Sequence, residues 1–303
     1  MSIFNIFSFT TLWSPYFLIF LIAITALYFY LIHSAQKKWS HAQPLKTKEI
    51  VYFLMGIALV YITLGSPIDV LSHIMFSAHM SQMAILYLLA PIFFIWGIPD
   101  WAWEQAVIKG KLSKVFHVFT NPIIALILFN AIFSIYHIPT IFDAVKTDIW
   151  LHGIYTTVLF LLALFMWWPL VNTLQEERKL SGLKKFGYLL AASVLLTPAC
   201  ALIIFADTPM YLTYKDPSYW AEAMKLCLPV GVNIADLGIT GPDFFNTMPL
   251  LDDQQLGGVL MKIMQEIIFG SILAYIFFNW YREEQEAEKE EQEKMNLKPN
   301  YAE

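Results

Sequence analysis

The chain has 303 residues, of which 58% are hydrophobic and only 14% charged, with a mean hydropathy of +0.56. A soluble domain is nearer half apolar and a quarter charged, so too few polar side chains remain here to cover a water-facing surface. A soluble enzyme, a disordered chain and a nucleic-acid binder are excluded, the last also because the net charge is −5 and phosphate binding needs a basic face.

Two cysteines, Cys200 and Cys227, exclude a disulfide scaffold and a four-cysteine zinc site. The acidity is local. From Arg282 onward there are eight acids and four bases, which leaves the rest of the chain close to neutral.

A helix needs roughly 20 mostly apolar residues to cross the hydrocarbon. Seven stretches qualify: 13–33, 50–66, 76–97, 119–137, 150–171, 186–206 and 257–281. Six carry no Lys, Arg, Asp or Glu, and the seventh carries Lys262 and Glu266. Strand alternation is absent, so helices satisfy the backbone. The expected fold is all-α, a polytopic bundle of seven transmembrane helices over 1–281, followed by a charged tail at 282–303.

No Lys or Arg precedes Lys37, so the first apolar run lacks the basic start of a signal peptide. Fifteen bases fall on one side of the predicted spans and four, Lys146, Lys215, Lys225 and Lys262, on the other. The positive-inside rule then predicts an external N-terminus, a cytoplasmic C-terminus and an external loop at 207–256. Prolines and glycines break that loop into short pieces. Pro217 to Leu228 reads as a short interfacial helix with Tyr219, Trp220, Met224 and Leu228 on its apolar side.

His73, His79, His137 and His152 fall at the outer ends of three spans. Residues 66–83 read SPIDVLSHIMFSAHMSQM. As one helix at 100° per residue, Asp69, His73, His79, Met80 and Met83 share an arc of about 120°. Thioether and imidazole together suit Cu(I) better than harder ions. The bland reading is that methionine fills the core and the histidines are merely hydrogen-bonded.

Glu266 sits inside the last span, where a carboxylate is a functional candidate, or else a local partner of Lys262. Asp252 and Asp253 complement the dipole at that helix's start. Cys200 and Cys227 read as a buried thiol and a loop thiol that could pair. No nucleophile stands beside a histidine base, so catalytic residues are absent from this reading and the chain is not expected to be an enzyme.

The 66–83 motif, with APIFFIWGIP at 90–99, resembles the signature of the CtaG-type cytochrome c oxidase assembly factors. YHIPTIFDAV (136–145), His152, FMWWPL (165–170), ADTPMY (206–211) and DQQLGGVLM (253–261) match further elements of that family in order. The chain looks like a member from a Gram-positive bacterium of the Bacillus kind. The resemblance implies a multi-pass bacterial plasma-membrane protein that assembles a caa-type oxidase and is suspected of supplying its copper. It implies oxidase subunits as partners, with an external copper donor and membrane lipid as further contacts.

Three of these elements depart from the family pattern. Met83 replaces a second histidine, Ile154 and Tyr155 replace Glu-His, and Lys262, Met264 and Gln265 replace Trp-x-Pro-Gly. The expected cargo is copper as Cu(I), transiently bound by His73, His79, Met80, Met83, His137, His152 and Met261. Asp69 would orient an imidazole, and Asp253 and Glu266 are further functional carboxylates. The rivals are a metal-free scaffold for oxidase subunits, a copper transporter and a haem-handling enzyme.

Overall fold

Among the described residues, proline, caps and apolar runs divide the chain into fifteen α-helices, seen in a computed structural model. It describes residues 3–39, 42–174, 177, 180–228, 234, 238, 239, 241, 244, 245, 248 and 249–296. The described residues are helical and contain no strand, as composition and periodicity require. His41 lies outside them.

The helices run α1 (Phe9–Trp13), α2 (Pro15–Lys38), α3 (Thr47–Leu64), α4 (Pro67–Ile74), α5 (Phe76–Met83) and α6 (Ala90–Gly97). Then come α7 (Asp100–Trp103), α8 (Ser113–Phe119), α9 (Pro122–Tyr136), α10 (Pro139–Thr147) and α11 (Ile149–Val171). The last four are α12 (Gly182–Ile204), α13 (Leu212–Lys215), α14 (Pro217–Met224) and α15 (Leu250–Asn296). Six stretches are long and apolar enough to cross a membrane. The α8–α9 pair, bent by 68°, makes a seventh if counted as one span. That bend falls where Asn121 caps α9 through the amides of Ile123 and Ile124 and Pro122 opens it.

The span from Phe76 to Gly97 is the most enclosed. It joins α5 to α6 through a π-helical turn, Ala84–Leu89, just before Pro91. Proline has no N–H and cannot bond the carbonyl four residues back, which is Tyr87. That carbonyl accepts from Trp167 Nε1 on α11 at 3.4 Å instead. Around this span α15 packs against α5 and α12, α3 against α6, and α11 against α6 and α9.

Two expectations are corrected. Residues 66–83 are not one helix, because Met75 is extended (φ −125°, ψ 130°) and separates α4 from α5. The last helix begins at Leu250, not 257, and Asp252 and Asp253 stand in its first turn, as their dipole role requires.

One end of the bundle is capped by α4, α10, α13 and α14 over a small apolar cluster. In α14, Asp216 caps the amides of Ser218 and Tyr219 and Pro217 takes the first turn. The interfacial reading of this segment is also corrected. Trp220 and Met224 are buried in that cluster, and only Tyr219 of the helix's large apolar side chains is exposed.

Candidate metal centre at the capped end

The break at Met75 builds the site. A helix end leaves carbonyls without partners, and the next helix start leaves amides. The Ser72 carbonyl accepts from Tyr214 Oη at 2.5 Å, and the His73 carbonyl from Trp220 Nε1 at 3.1 Å. The Asp253 carboxylate accepts from the Phe76 amide at 2.7 Å, the Ser77 amide at 3.3 Å and the Ser77 hydroxyl. Asp253 thus caps α5 from the first turn of its own helix, where its charge also complements the dipole.

The rest of DQQLGG is structural in the same way. Gln254 accepts from the Met210 amide at 2.8 Å, and Gln255 donates to the Ala206 carbonyl at 3.0 Å. A Cβ on Gly257 would fall 2.7 Å from the Phe76 ring and 3.2 Å from Met80 Cγ. One on Gly258 would fall 2.7 Å from Ile204. Both glycines let α15 approach its neighbours.

Four imidazoles collect beneath the cap. The His73 and His152 rings are 6.1 Å apart. His79 lies within electrostatic reach of His73, His137, His152 and Lys146. Phe142 forms a common wall, 5.2 Å from the His79 ring and 6.4 Å from that of His137.

His73 Nδ1 donates to the Asp69 carbonyl at 2.9 Å, and His137 Nδ1 to that of Phe133 at 2.7 Å. A carbonyl only accepts, so Nδ1 carries the proton in both rings and Nε2 presents its lone pair. Among the described residues those two Nε2 atoms, both nitrogens of His79 and Nδ1 of His152 are buried without a hydrogen-bond partner. Burial holds His73 well below the ordinary imidazole range, helped by Lys146 and His152. Burial also lowers His137, to about 4. Both rings are therefore neutral and able to ligate at neutral pH.

The Asp69 carboxylate has a different role from the one expected. Its backbone orients His73, while Oδ1 accepts from Gln82 Nε2 at 3.0 Å. Gln82 also donates to the Thr63 carbonyl at 2.7 Å. Burial pushes the Asp69 carboxyl up to about 6, against the pull of Lys146 and Gln82. Lys146 is 1% exposed, and burial lowers its amine to about 8 against the field of Asp69.

The sequence reading missed Lys146 altogether, counting it as a loop base. The signal was its place on the apolar face of IFDAVK, three residues after buried Asp143. Asp143 itself accepts from the amides of Leu212 and Thr213, both at 3.0 Å, and so holds α13.

Met80, Met83 and Met261 are buried in the main core, Met80 facing α15 at Gly257. Glu266 pairs with Lys262 at 2.9 Å and accepts from Ser193, so it is the local partner and not part of the histidine site. Cys200 and Cys227 are free thiols, Cys200 in the main core and Cys227 beside the outer cluster. Burial raises the Cys227 thiol. At the opposite end His117 bonds Glu177 at 2.9 Å, well separated in the fold from the four.

Among the described residues no group of three His, Cys, Asp or Glu side chains is arranged to hold a metal ion as the chain stands. Bringing the imidazoles onto one ion requires rotation about side-chain bonds.

Neither a curated protein nor a solved structure matches the chain. A family model does, that of the cytochrome c oxidase caa3 assembly factor (Caa3_CtaG), over residues 26–283. With most of its length matched, the chain belongs to the cytochrome c oxidase caa3 assembly factor family.

Proposed function

We propose that this assembly factor carries Cu(I) to the oxidase through the imidazoles of His73, His79, His137 and His152. The family makes the chain a multi-pass bacterial membrane protein with oxidase subunits as its partners. The observation that carries the copper reading is the set of buried imidazole nitrogens with no partner. Leaving a polar atom buried and unpaired costs about 1–3 kcal/mol, so a group that can accept a ligand explains the expense.

Cu(I) suits neutral imidazole and thioether donors, and Met83 follows His79 by one turn on α5. Two of the rings already bond backbone carbonyls through Nδ1, which leaves Nε2 as the ligating atom, as in metal-binding histidines. Because the ligands are not drawn together, the ion would be held loosely enough to pass on. The excess of bases expected at the uncapped end supports a cytoplasmic position for that end and an external one for the copper site. In this reading the chain is a carrier and breaks no bond.

The test is competition for Cu(I) between a chromophoric chelator and the purified chain in detergent. We expect about one Cu(I) per chain, and affinity weakened at least about tenfold by His73→Ala with His79→Ala. Met80→Leu, on the face toward α15, should leave binding unchanged. Binding equal to that of a histidine-free variant would leave a metal-free scaffold.

A further inference from the structure

The outer surface of the bundle carries a charged pair at the level of the bilayer centre. Ser193 is the middle residue of α12, one of the helices long and apolar enough to span. Its hydroxyl donates to Glu266 Oε1 at 3.2 Å and accepts from Gln265 Nε2 at 2.8 Å, both on α15. Lys262 Nζ lies 3.4 Å from the same hydroxyl and 3.2 Å from that of Thr197, and pairs with Glu266 at 2.9 Å. Along α15, about 21 Å of helix separates Glu266 from the interfacial Trp280, in a hydrocarbon layer about 30 Å thick.

Ionisable groups at this depth normally face the bundle interior or a water-filled cavity, because hydrocarbon does not solvate charge. Here they face outward. The Glu266 side chain is 57% exposed and that of Lys262 30%. Among the described residues both bonds to Glu266 end on Oε1, so Oε2 is left for a donor from outside. Ile263, Ile267 and, on α12, Val194 flank the pair and are exposed. One turn beyond Glu266, a Cβ on Gly270 would meet no atom within 4 Å. That open space lets another helix approach closely, as small residues do at membrane helix contacts.

The chemistry of the pair selects what covers it. A lipid tail offers no donor. Two copies of this chain, inserted the same way and related by a two-fold axis, would set Lys262 against Lys262 and Glu266 against Glu266. Lys262 already balances Glu266, so a further cation would leave net charge in hydrocarbon. A neutral donor on a foreign membrane helix fits. We propose that the α12–α15 face docks a transmembrane helix of an oxidase subunit. A serine, threonine, asparagine or glutamine of that helix donates to Glu266 Oε2 at the bilayer centre. The docking rests on oxidase subunits being the partners, as the family gives, and not on copper binding.

A photo-cross-linking residue placed at Ile267 of the full chain, in membranes of cells that make the oxidase, tests this. It should give an adduct with an oxidase subunit, identified by mass spectrometry, several-fold above that from Ile19, exposed on α2. Lys262→Met with Glu266→Leu removes both charges at once and should lower the yield at least about threefold. Cu(I) competition on the same proteins keeps this docking apart from the copper reading, since the two faces share no residue. Equal yields at Ile267 and Ile19, an adduct with a second copy alone, or a yield unchanged in the double variant would each overturn the proposal. The comparison of Ile267 with Ile19 stands even if the double variant fails to fold.

Discussion

Replacing Asp253 by alanine is expected to lower the stability of the folded chain by about 3–5 kcal/mol. The carboxylate is 2% exposed and accepts from two amides and a hydroxyl at the start of α5. Each buried donor left without a partner costs about 1–3 kcal/mol, and the Ser77 hydroxyl alone can rotate to another acceptor. The thermal midpoint in detergent should fall by on the order of 10 °C. Asp252→Ala is the control, since its side chain is exposed and carries the same charge at the same helix end. If charge near the helix dipole were what mattered, the two substitutions would cost alike. Near-neutrality of Asp252→Ala beside a large loss for Asp253→Ala identifies the cap. Because α5 carries His79, loosening this cap should also weaken any ligand binding at the histidines.

The membrane bundle was legible because it follows from local properties. Apolar runs, flanking charges and prolines lie within each segment, and α6, α11 and α12 follow them closely. The break at Met75 was not legible. Periodicity runs unbroken through 66–83, and nothing local stops a helix there. What stops it comes from far along the chain: Tyr214, Trp220 and Asp253 satisfy the freed backbone groups.

The same holds for the site. The four histidines could be grouped by span end, since topology alone brings those ends to one level. Their orientation could not, because backbone carbonyls set it. Met80 and Met83 keep their place beside His79 on α5, and the break changes only how that helix is set against His73 on α4. Lys146 was hidden because a lysine in a short external segment is normally solvated. It is buried because α11, α13 and α14 pack against α10, and no window along the sequence contains them all.

That burial sets up the second large effect. Asp69→Asn and Lys146→Met are expected to be non-additive: the double variant should be more stable than the sum of the two single changes by about 0.5–3 kcal/mol. The reason is desolvation. A charge taken from water is tolerated when its opposite is near, and removing one partner strands the other. Their folded pKa shifts give the pH dependence.

Asp69 is raised in the folded chain, so its protonated form adds stability that is complete below pH 4 or so and is lost as pH rises through about 6. Lys146 is lowered, so its neutral form adds stability above its ordinary range near 10.4 that is lost as pH falls through about 8. Between those two values both groups are charged and only their mutual attraction offsets the burial. Lys146→Met removes the charge that holds Asp69 down, so this variant should regain stability on acidification from roughly pH 7 to 5. Asp69→Asn should instead regain it on going alkaline, as Lys146 sheds its proton. Thermal midpoints of the four proteins across this range measure both the coupling and its sign. Additive losses in the double variant, or identical pH profiles in the two single variants, would mean that the amine and the carboxylate do not sense each other across the histidine site.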